Sequence, residues 1–314
     1  MTARIFIDGE VGTTGLQIRQ RLANRADIEI LSLDEGDRKN VGARAAMLNQ
    51  ADIAILCLPD VAARQAVALI DNSTTRVIDA SSAHRTAPGW TYGFPEMAPG
   101  QAAAIAGGAR ISNPGCYPTG AIAMIRPLVD AGLVPTDFPI TVNAISGYSG
   151  GGRQLIEAYE GEGENPPVSL YGLKLDHKHL PEMQLHAGLA HPPLFQPCVG
   201  DFAQGQFVSL PLQLWALPGS PGAARMHACL AERYRDSAFV SVLPRDASAS
   251  LSDLDPRHLN GTNQLEIHLF ANDDHHQAWL VAIYDNLGKG ASGAAVQNLN
   301  LMLGAEATTG LLAA

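Results

Sequence analysis

The chain has 314 residues, 46% of them hydrophobic and 17% charged, with a formal net charge of −10. That composition is globular and carries enough material for one large domain or two. No apolar run approaches the roughly 20 residues that a membrane-spanning helix needs. The start, Met1-Thr-Ala-Arg-Ile-Phe-Ile-Asp-Gly, turns polar too early for a secretory signal, so a cytoplasmic protein is expected. With no basic run, nucleic acid is not an expected partner. The four cysteines, Cys57, Cys116, Cys198 and Cys229, stand far apart and argue against a disulfide framework or a zinc ribbon.

In chain order, Arg4–Asp8 reads as a short apolar strand and Thr14–Ala23 has helical spacing. Between them Gly9, Gly12 and Gly15 form a glycine turn. Such a turn lets backbone N–H groups approach a pyrophosphate at a helix N-terminus, with Thr13 and Thr14 as added hydroxyl donors. A purely structural turn is the alternative. Ile28–Leu33 is the next strand, followed by Asp34-Glu-Gly-Asp-Arg38-Lys39. Asp34 suits a ribose 2′-hydroxyl and hence NAD, whereas Arg38 and Lys39 suit a 2′-phosphate and hence NADP.

Ile53–Leu58, Val77–Ala80 and Ala109–Ser112 read as further strands, and Val61–Ile70 as a helix. This alternation predicts parallel strands with helices on both faces. Asp79-Ala-Ser81-Ser82-Ala83-His84-Arg85 follows one strand into a loop, where Arg85 suits a bidentate grip on carboxylate or phosphate. Asn113-Pro-Gly-Cys116-Tyr-Pro-Thr-Gly120 places a cysteine after a tight turn, at the start of an expected helix. There its sulfur meets partly positive, unpaired N–H groups that favour the thiolate. The competing reading, a small buried cysteine, needs no such turn.

From about Ile140 the pattern changes. Ile140–Ile145, Phe207–Trp215, Gln264–Phe270 and Ala278–Tyr284 read as longer strands with few helices between them, which predicts an antiparallel or mixed sheet. Ser146–Arg153 is a donor-rich glycine loop containing Ser149, Gly150 and Arg153. Asp176-His177-Lys-His179-Leu-Pro-Glu182 supplies histidines for acid–base work, with Glu182 to orient one of them. A metal site from His177, His179, Glu182 and His186, or a solvated charged run, are the other readings. Asp285-Asn286-Leu-Gly-Lys-Gly-Ala-Ser-Gly leads into a last helix, Ala294–Leu303.

Together, Gly9-x-x-Gly12-x-x-Gly15, Asn113-Pro-Gly-Cys116-Tyr-Pro-Thr, Ser146–Arg153, His177-x-His179-x-Pro-Glu182 and Asn286-Leu-x-Lys-Gly-Ala-x-Gly293 closely resemble the N-acetyl-gamma-glutamyl-phosphate reductase family, relatives of aspartate-semialdehyde dehydrogenase. At this length the chain looks like the shorter of the family's two forms. The resemblance implies a Rossmann-type α/β cofactor domain (1–116 and 286–314) and an α+β catalytic and dimerisation domain (117–285). It implies NADP(H) as cofactor, no metal, and a homodimer or homotetramer. It further implies Cys116 as nucleophile and His177 as acid–base, with His179 second and Glu182 beside them. Cofactor contacts are expected at Gly9, Gly12, Thr13, Thr14, Gly15, Arg38, Ser149, Gly150 and Asn286. Asn113, Arg85 and Arg153 are expected to hold the small-molecule substrate or its phosphate.

Overall fold

A computed structural model describes residues 2–311. The chain divides into two compact units. The first holds the described residues up to Pro95, together with Gly100–Gly115 and Ala291–Leu311. The second holds Glu96–Pro99 and Cys116–Gly290.

In the first unit, strands β1 (Ala3–Asp8), β2 (Ile28–Leu31), β3 (Ile53–Leu56), β4 (Arg76–Asp79), β5 (Thr91–Tyr92) and β6 (Arg110–Ser112) form one sheet in the order β2-β1-β3-β4-β6-β5. Every pairing is parallel. Parallel neighbours need crossovers, and helices α1 (Thr13–Leu22), α2 (Val41–Gln50), α3 (Asp60–Ala68) and α4 (Gln101–Gly107) provide them. All four residues of β3, Ile-Ala-Ile-Leu, are buried, as expected of a strand covered on both faces. Phe6, Leu48, Ala54, Leu56, Ala66 and Val77 share one core cluster. The closing helix Gly293–Leu303 belongs to this unit and is tied to it by Arg76, whose guanidinium donates to the carbonyls of Met302, Ala106 and Gly108.

The alternation read from the sequence is realised, but helix α2 was not expected. Leu48 is its one buried residue, so it carries no apolar stripe to betray it. Its N-cap is nonetheless conventional, with Asn40 accepting from the Ala43 N–H at 3.2 Å.

In the second unit, β7 (Thr141–Gly147), β8 (Val168–Leu170), β9 (Leu194–Gly200), β10 (Gln206–Gln213), β11 (Val240–Val242), β12 (Leu265–Asn272) and β13 (Gln277–Tyr284) form a mixed sheet in the order β11-β12-β13-β10-β7-β9-β8. The pairs β7–β9 and β11–β12 are parallel and the others antiparallel. The long helix α5 (Cys116–Asp130) is buried almost all round and packs on β10, β13 and its helical neighbours.

The expectation of few helices between these strands is corrected by α6 (Arg153–Glu160), α7 (Leu180–Ala187), α8 (Ala223–Tyr234) and α9 (Arg245–Ala249). Flanking proline and glycine had masked them. Pro181 sits in the first turn of α7, where its missing N–H is no loss. Among the described residues no helix is long and apolar enough to cross a membrane.

Candidate active site

The glycine turn lies between β1 and α1. Gly9 adopts φ 89°, and a β-carbon there would overlap the carbonyl oxygen of Cys57; one on Gly15 would overlap the carbonyl of Gly9. Only glycine fits either place. The turn is closed by the Gly12 N–H donating to Gly9 O at 3.0 Å. Thr13 and Thr14 open α1, half-buried, with Gly12 as a cap that offers no side chain.

This turn borders a cavity of about 690 Å³ whose lining includes Gly9, Glu10, Leu33, Arg38, Lys39 and Arg44, but not Asp34. Arg44 is committed to Asp8, donating to its carboxylate at 2.7 Å. Arg38 reaches Glu10 at 3.5 Å, while its Nε is buried without a hydrogen-bond partner among the described residues. Glu10 also pairs with Arg19. An N-terminal helix turn that admits only glycine, with an arginine nitrogen left over, fits a dinucleotide carrying a 2′-phosphate. Of the Asp34–Lys39 segment, Arg38 and Lys39 line the cavity together with Glu35, while Asp34 does not.

In the same unit, Arg85 is buried and donates to the carbonyls of Asn113 (3.0 Å) and Ala80 (3.1 Å). Asn113 is held on every side. Its N–H donates to Asp79 O, its Nδ2 to Ala291 O, and its Oδ1 accepts from Asn298. Asp79 anchors the loop by accepting from the N–H and hydroxyl of Ser81 and by pairing with His84 Nδ1 at 2.6 Å. Asp79 and Arg85 thereby fix Asn113, three residues before the cysteine in sequence. Beside Asp79, desolvation pushes the Cys57 thiol up to about 12, which disfavours its thiolate.

Cys116 is the first residue of α5 and is half-buried. Its carbonyl accepts from the Tyr284 hydroxyl (2.6 Å) and from Gln206 Nε2 (3.0 Å), and that same hydroxyl accepts from the Gly120 N–H (2.9 Å). Two residues from the sheet thus clamp the backbone that bears the sulfur. Tyr117 donates to Cys198 O at 2.9 Å and rings the site with His179 (centroids 6.0 Å) and Phe195 (5.3 Å). Burial raises the Tyr117 and Tyr171 phenols, and negative charge at Cys116 adds to both shifts, so both stay protonated beside the sulfur.

His177 and His179 come together, with ring centroids 4.7 Å apart. His177 also meets Tyr171 (5.6 Å) and Phe195 (5.2 Å). Its Nδ1 lies 3.1 Å from the His179 N–H and accepts from it, so a neutral ring carries its proton on Nε2. Burial, helped by the Lys178 charge, lowers the His177 pKa to about 4 and keeps the ring neutral near pH 7. His179 caps α7, and Glu182 lies in that helix's first turn, fully buried. The loop into His177 turns left-handed at Gly172 (φ 66°) and Leu175 (φ 58°). A leucine in that region costs about 1–2 kcal/mol, which places backbone strain beside the histidines. Among the described residues no group of three or more His, Cys, Asp or Glu is arranged to hold a metal ion.

Ser149 and Asn286 also meet, with Asn286 Nδ2 donating to the serine hydroxyl at 3.0 Å and its Oδ1 accepting from Gly205 at 2.8 Å. Gly150 beside them is exposed. Arg153 is placed differently: it opens α6 with its side chain 85% exposed and ion-paired to Glu157. Sequence reasoning missed Tyr117, Tyr171, Gln206 and Tyr284. Only Tyr117 had a local signal, its place next to the cysteine.

The description "Semialdehyde dehydrogenase, NAD binding domain" matches residues 4–105, and "Semialdehyde dehydrogenase, dimerisation domain" matches 116–286. A relative from Chelativorans sp. (strain BNC1), named N-acetyl-gamma-glutamyl-phosphate reductase, is 58% identical over 96% of this chain and 99% of its own. The chain belongs to the N-acetyl-gamma-glutamyl-phosphate reductase family. Another member, N-acetyl-gamma-glutamyl-phosphate reductase 2 of Pseudomonas putida, is 55% identical over 97% of this chain and 98% of its own. Solved structures with the same fold include aspartate semialdehyde dehydrogenase from Francisella tularensis, at TM-score 0.72 and 14% identity over 96% of this chain and 100% of that one. Aspartate semialdehyde dehydrogenase from Candida albicans, solved with NADP, gives 0.65 and 14% over 97% and 99%.

Proposed function

We propose that this enzyme of arginine biosynthesis reduces N-acetyl-L-glutamyl 5-phosphate to N-acetyl-L-glutamate 5-semialdehyde and phosphate, using NADPH and a thioester on Cys116. Membership of a family whose members are 53–58% identical and carry that activity in their name supports the substrate. The observation that carries the chemistry is Cys116 in the first turn of a buried helix, its backbone clamped by Tyr284 and Gln206 and the next residue, Tyr117, packed edge-on to the His179 ring.

In this reading the Cys116 thiolate attacks the acyl carbon, a C–S bond forms, and the C–O bond to phosphate breaks. First-turn N–H groups of α5 stabilise the oxyanion in a site of low dielectric. NADPH, when bound, supplies the hydride that converts the thioester to the aldehyde level. Gly9, Gly12, Thr13, Thr14 and Gly15 are the residues that would hold its pyrophosphate, and Arg38 its 2′-phosphate; Ser149, Gly150 and Asn286 are the other candidates for contact with it. His177 donates from Nε2 to the developing oxyanion, a role its fixed tautomer supports; His179 and Glu182 hold it in place. Collapse then breaks the C–S bond and returns the thiolate. Arg85 and Asn113 are the substrate's anion-binding candidates, whereas Arg153 is exposed and ion-paired to Glu157. The enzyme works as a homodimer or homotetramer in the cytoplasm; the dimerisation-domain match supports the assembly.

Mixing the protein with NADP and N-acetylglutamate 5-semialdehyde, without phosphate, tests the chemistry. One equivalent of NADPH and a covalent acyl adduct on Cys116, seen by intact-protein and peptide mass spectrometry, are expected. An NADPH burst with no adduct would remove the thioester from the account.

A further inference from the structure

The buried polar groups of the second unit include one ion pair that the chemistry above does not use. Lys289 is 1% exposed, yet its ammonium donates to both carboxylate oxygens of Glu96 at 2.9 Å and stands 5.5 Å over the ring of Phe239. Its charge is thoroughly desolvated, which lowers its pKa, and the Glu96 carboxylate opposes that shift. A buried pair of this kind is a poor device for stability alone, since apolar side chains of equal volume often serve as well or better. What such a pair does supply is a fixed direction.

The next residue shows what is being directed. Gly290 lies so close to the cysteine that a β-carbon on it would stand 3.1 Å from Cys116 Cβ and 3.4 Å from its Cα. The approach is fixed from the other side by the Gly290 N–H, which donates to Asp285 O at 3.0 Å. Asp285 is itself immobilised, accepting from the N–H groups of Leu287 and Gly261 and from Gln204. The backbone that abuts Cys116 is therefore held at one end by the carbonyl of the anchored Asp285 and at the other by the Lys289–Glu96 pair.

We infer that Lys289 and Glu96 are positioning residues for Cys116, acting through the backbone of Gly290. The inference rests on the reading of Cys116 as the nucleophile. It predicts that loosening the pair changes the reactivity of the sulfur and the chemical step more than it changes binding.

Replacing one partner alone would strand a buried charge and threaten folding, so the informative variant is Lys289→Met/Glu96→Gln, in which both are neutral. In the folded full-length protein, followed by thermal melting, kcat for phosphate-dependent oxidation of the semialdehyde should fall about tenfold or more. The KM values for semialdehyde and NADP should stay within about twofold. Iodoacetamide labelling of Cys116, read by peptide mass spectrometry, should change at least about threefold. Gly290→Ala leaves the ion pair intact and should give the same signature; it decides the matter should the double variant not fold. Labelling and kcat both within about twofold of the parent, or KM moving more than kcat, would overturn the inference. Labelling needs neither substrate nor cofactor, so it judges Cys116 positioning even if the proposed substrate proves wrong.

Discussion

The cavity beside the glycine turn of the first unit and the cysteine surroundings of the second are built on opposite plans. The cavity is lined mainly by two short stretches, 6–11 and 33–39, and the turn that borders it depends on the absence of side chains at Gly9 and Gly15. The cysteine is surrounded by residues from distant parts of the chain, namely Tyr171, Gln206, Tyr284 and Gly290, nearly all buried and aromatic or backbone. A cradle of missing atoms tolerates change around it but none at its glycines. A clamp of packed donors spreads its sensitivity over many positions. Binding and chemistry should therefore fail separately.

The largest separation is expected for Cys116→Ser, which should lower kcat/KM by at least about 10⁴-fold while NADP affinity, measured by calorimetry, stays unchanged. The converse comes from Gly9→Ala. A φ of 89° and the overlap with Cys57 O should cost about 2–4 kcal/mol of stability and most of the NADP affinity, with Cys116 still labelled by iodoacetamide when folded. Arg38→Ala sharpens the comparison inside the cavity. Losing one charge-assisted contact should weaken NADP about 10- to 100-fold and leave NAD binding as it was.

A smaller effect concerns pH. The folded-state pKa of His177, about 4, lies below its ordinary value near 6.5. Stability linked to this group is therefore complete above pH 6.5 and is lost as pH falls from 6.5 through 4. His177→Gln should flatten the slope of melting temperature against pH in that window, and an unchanged slope would contradict the burial of a neutral ring. Arg153→Ala should have the least effect, within about twofold on the KM for semialdehyde, because the side chain is 85% exposed and tied to Glu157. A tenfold rise in that KM would instead place the substrate's anion on α6.

The same contrast explains what was legible in the sequence. The parallel sheet announced itself because β1 and β3 are nearly continuous apolar runs alternating with helical spacing, and the glycine cradle because its residues are neighbours in sequence. Cys116 and the histidines were singled out through their turn chemistry and spacing. The clamp was not legible. Tyr284 reaches the Cys116 carbonyl across a separation of 168 residues, and Lys289 reaches Glu96 across 193. Such contacts depend on strand register and helix packing, for which no local pattern stands proxy. Helix α2 escaped for a different reason, since an alanine-rich segment with one buried leucine has no periodicity to read. Helices α6 to α9 hid behind their flanking glycines and prolines, which terminate helices as often as they begin them.

The central claim is a cysteine-based reductase for an N-acetylated acyl phosphate, and the most direct test runs the reaction backwards. Purified protein is given NADP, phosphate and N-acetylglutamate 5-semialdehyde, beside aspartate semialdehyde and with NAD as the alternative cofactor. NADPH formation with the acetylated substrate, dependent on phosphate and on NADP, is the predicted result. Turnover with aspartate semialdehyde alone would contradict the assigned substrate, and no turnover from folded, NADP-binding protein would contradict the assignment as a reductase.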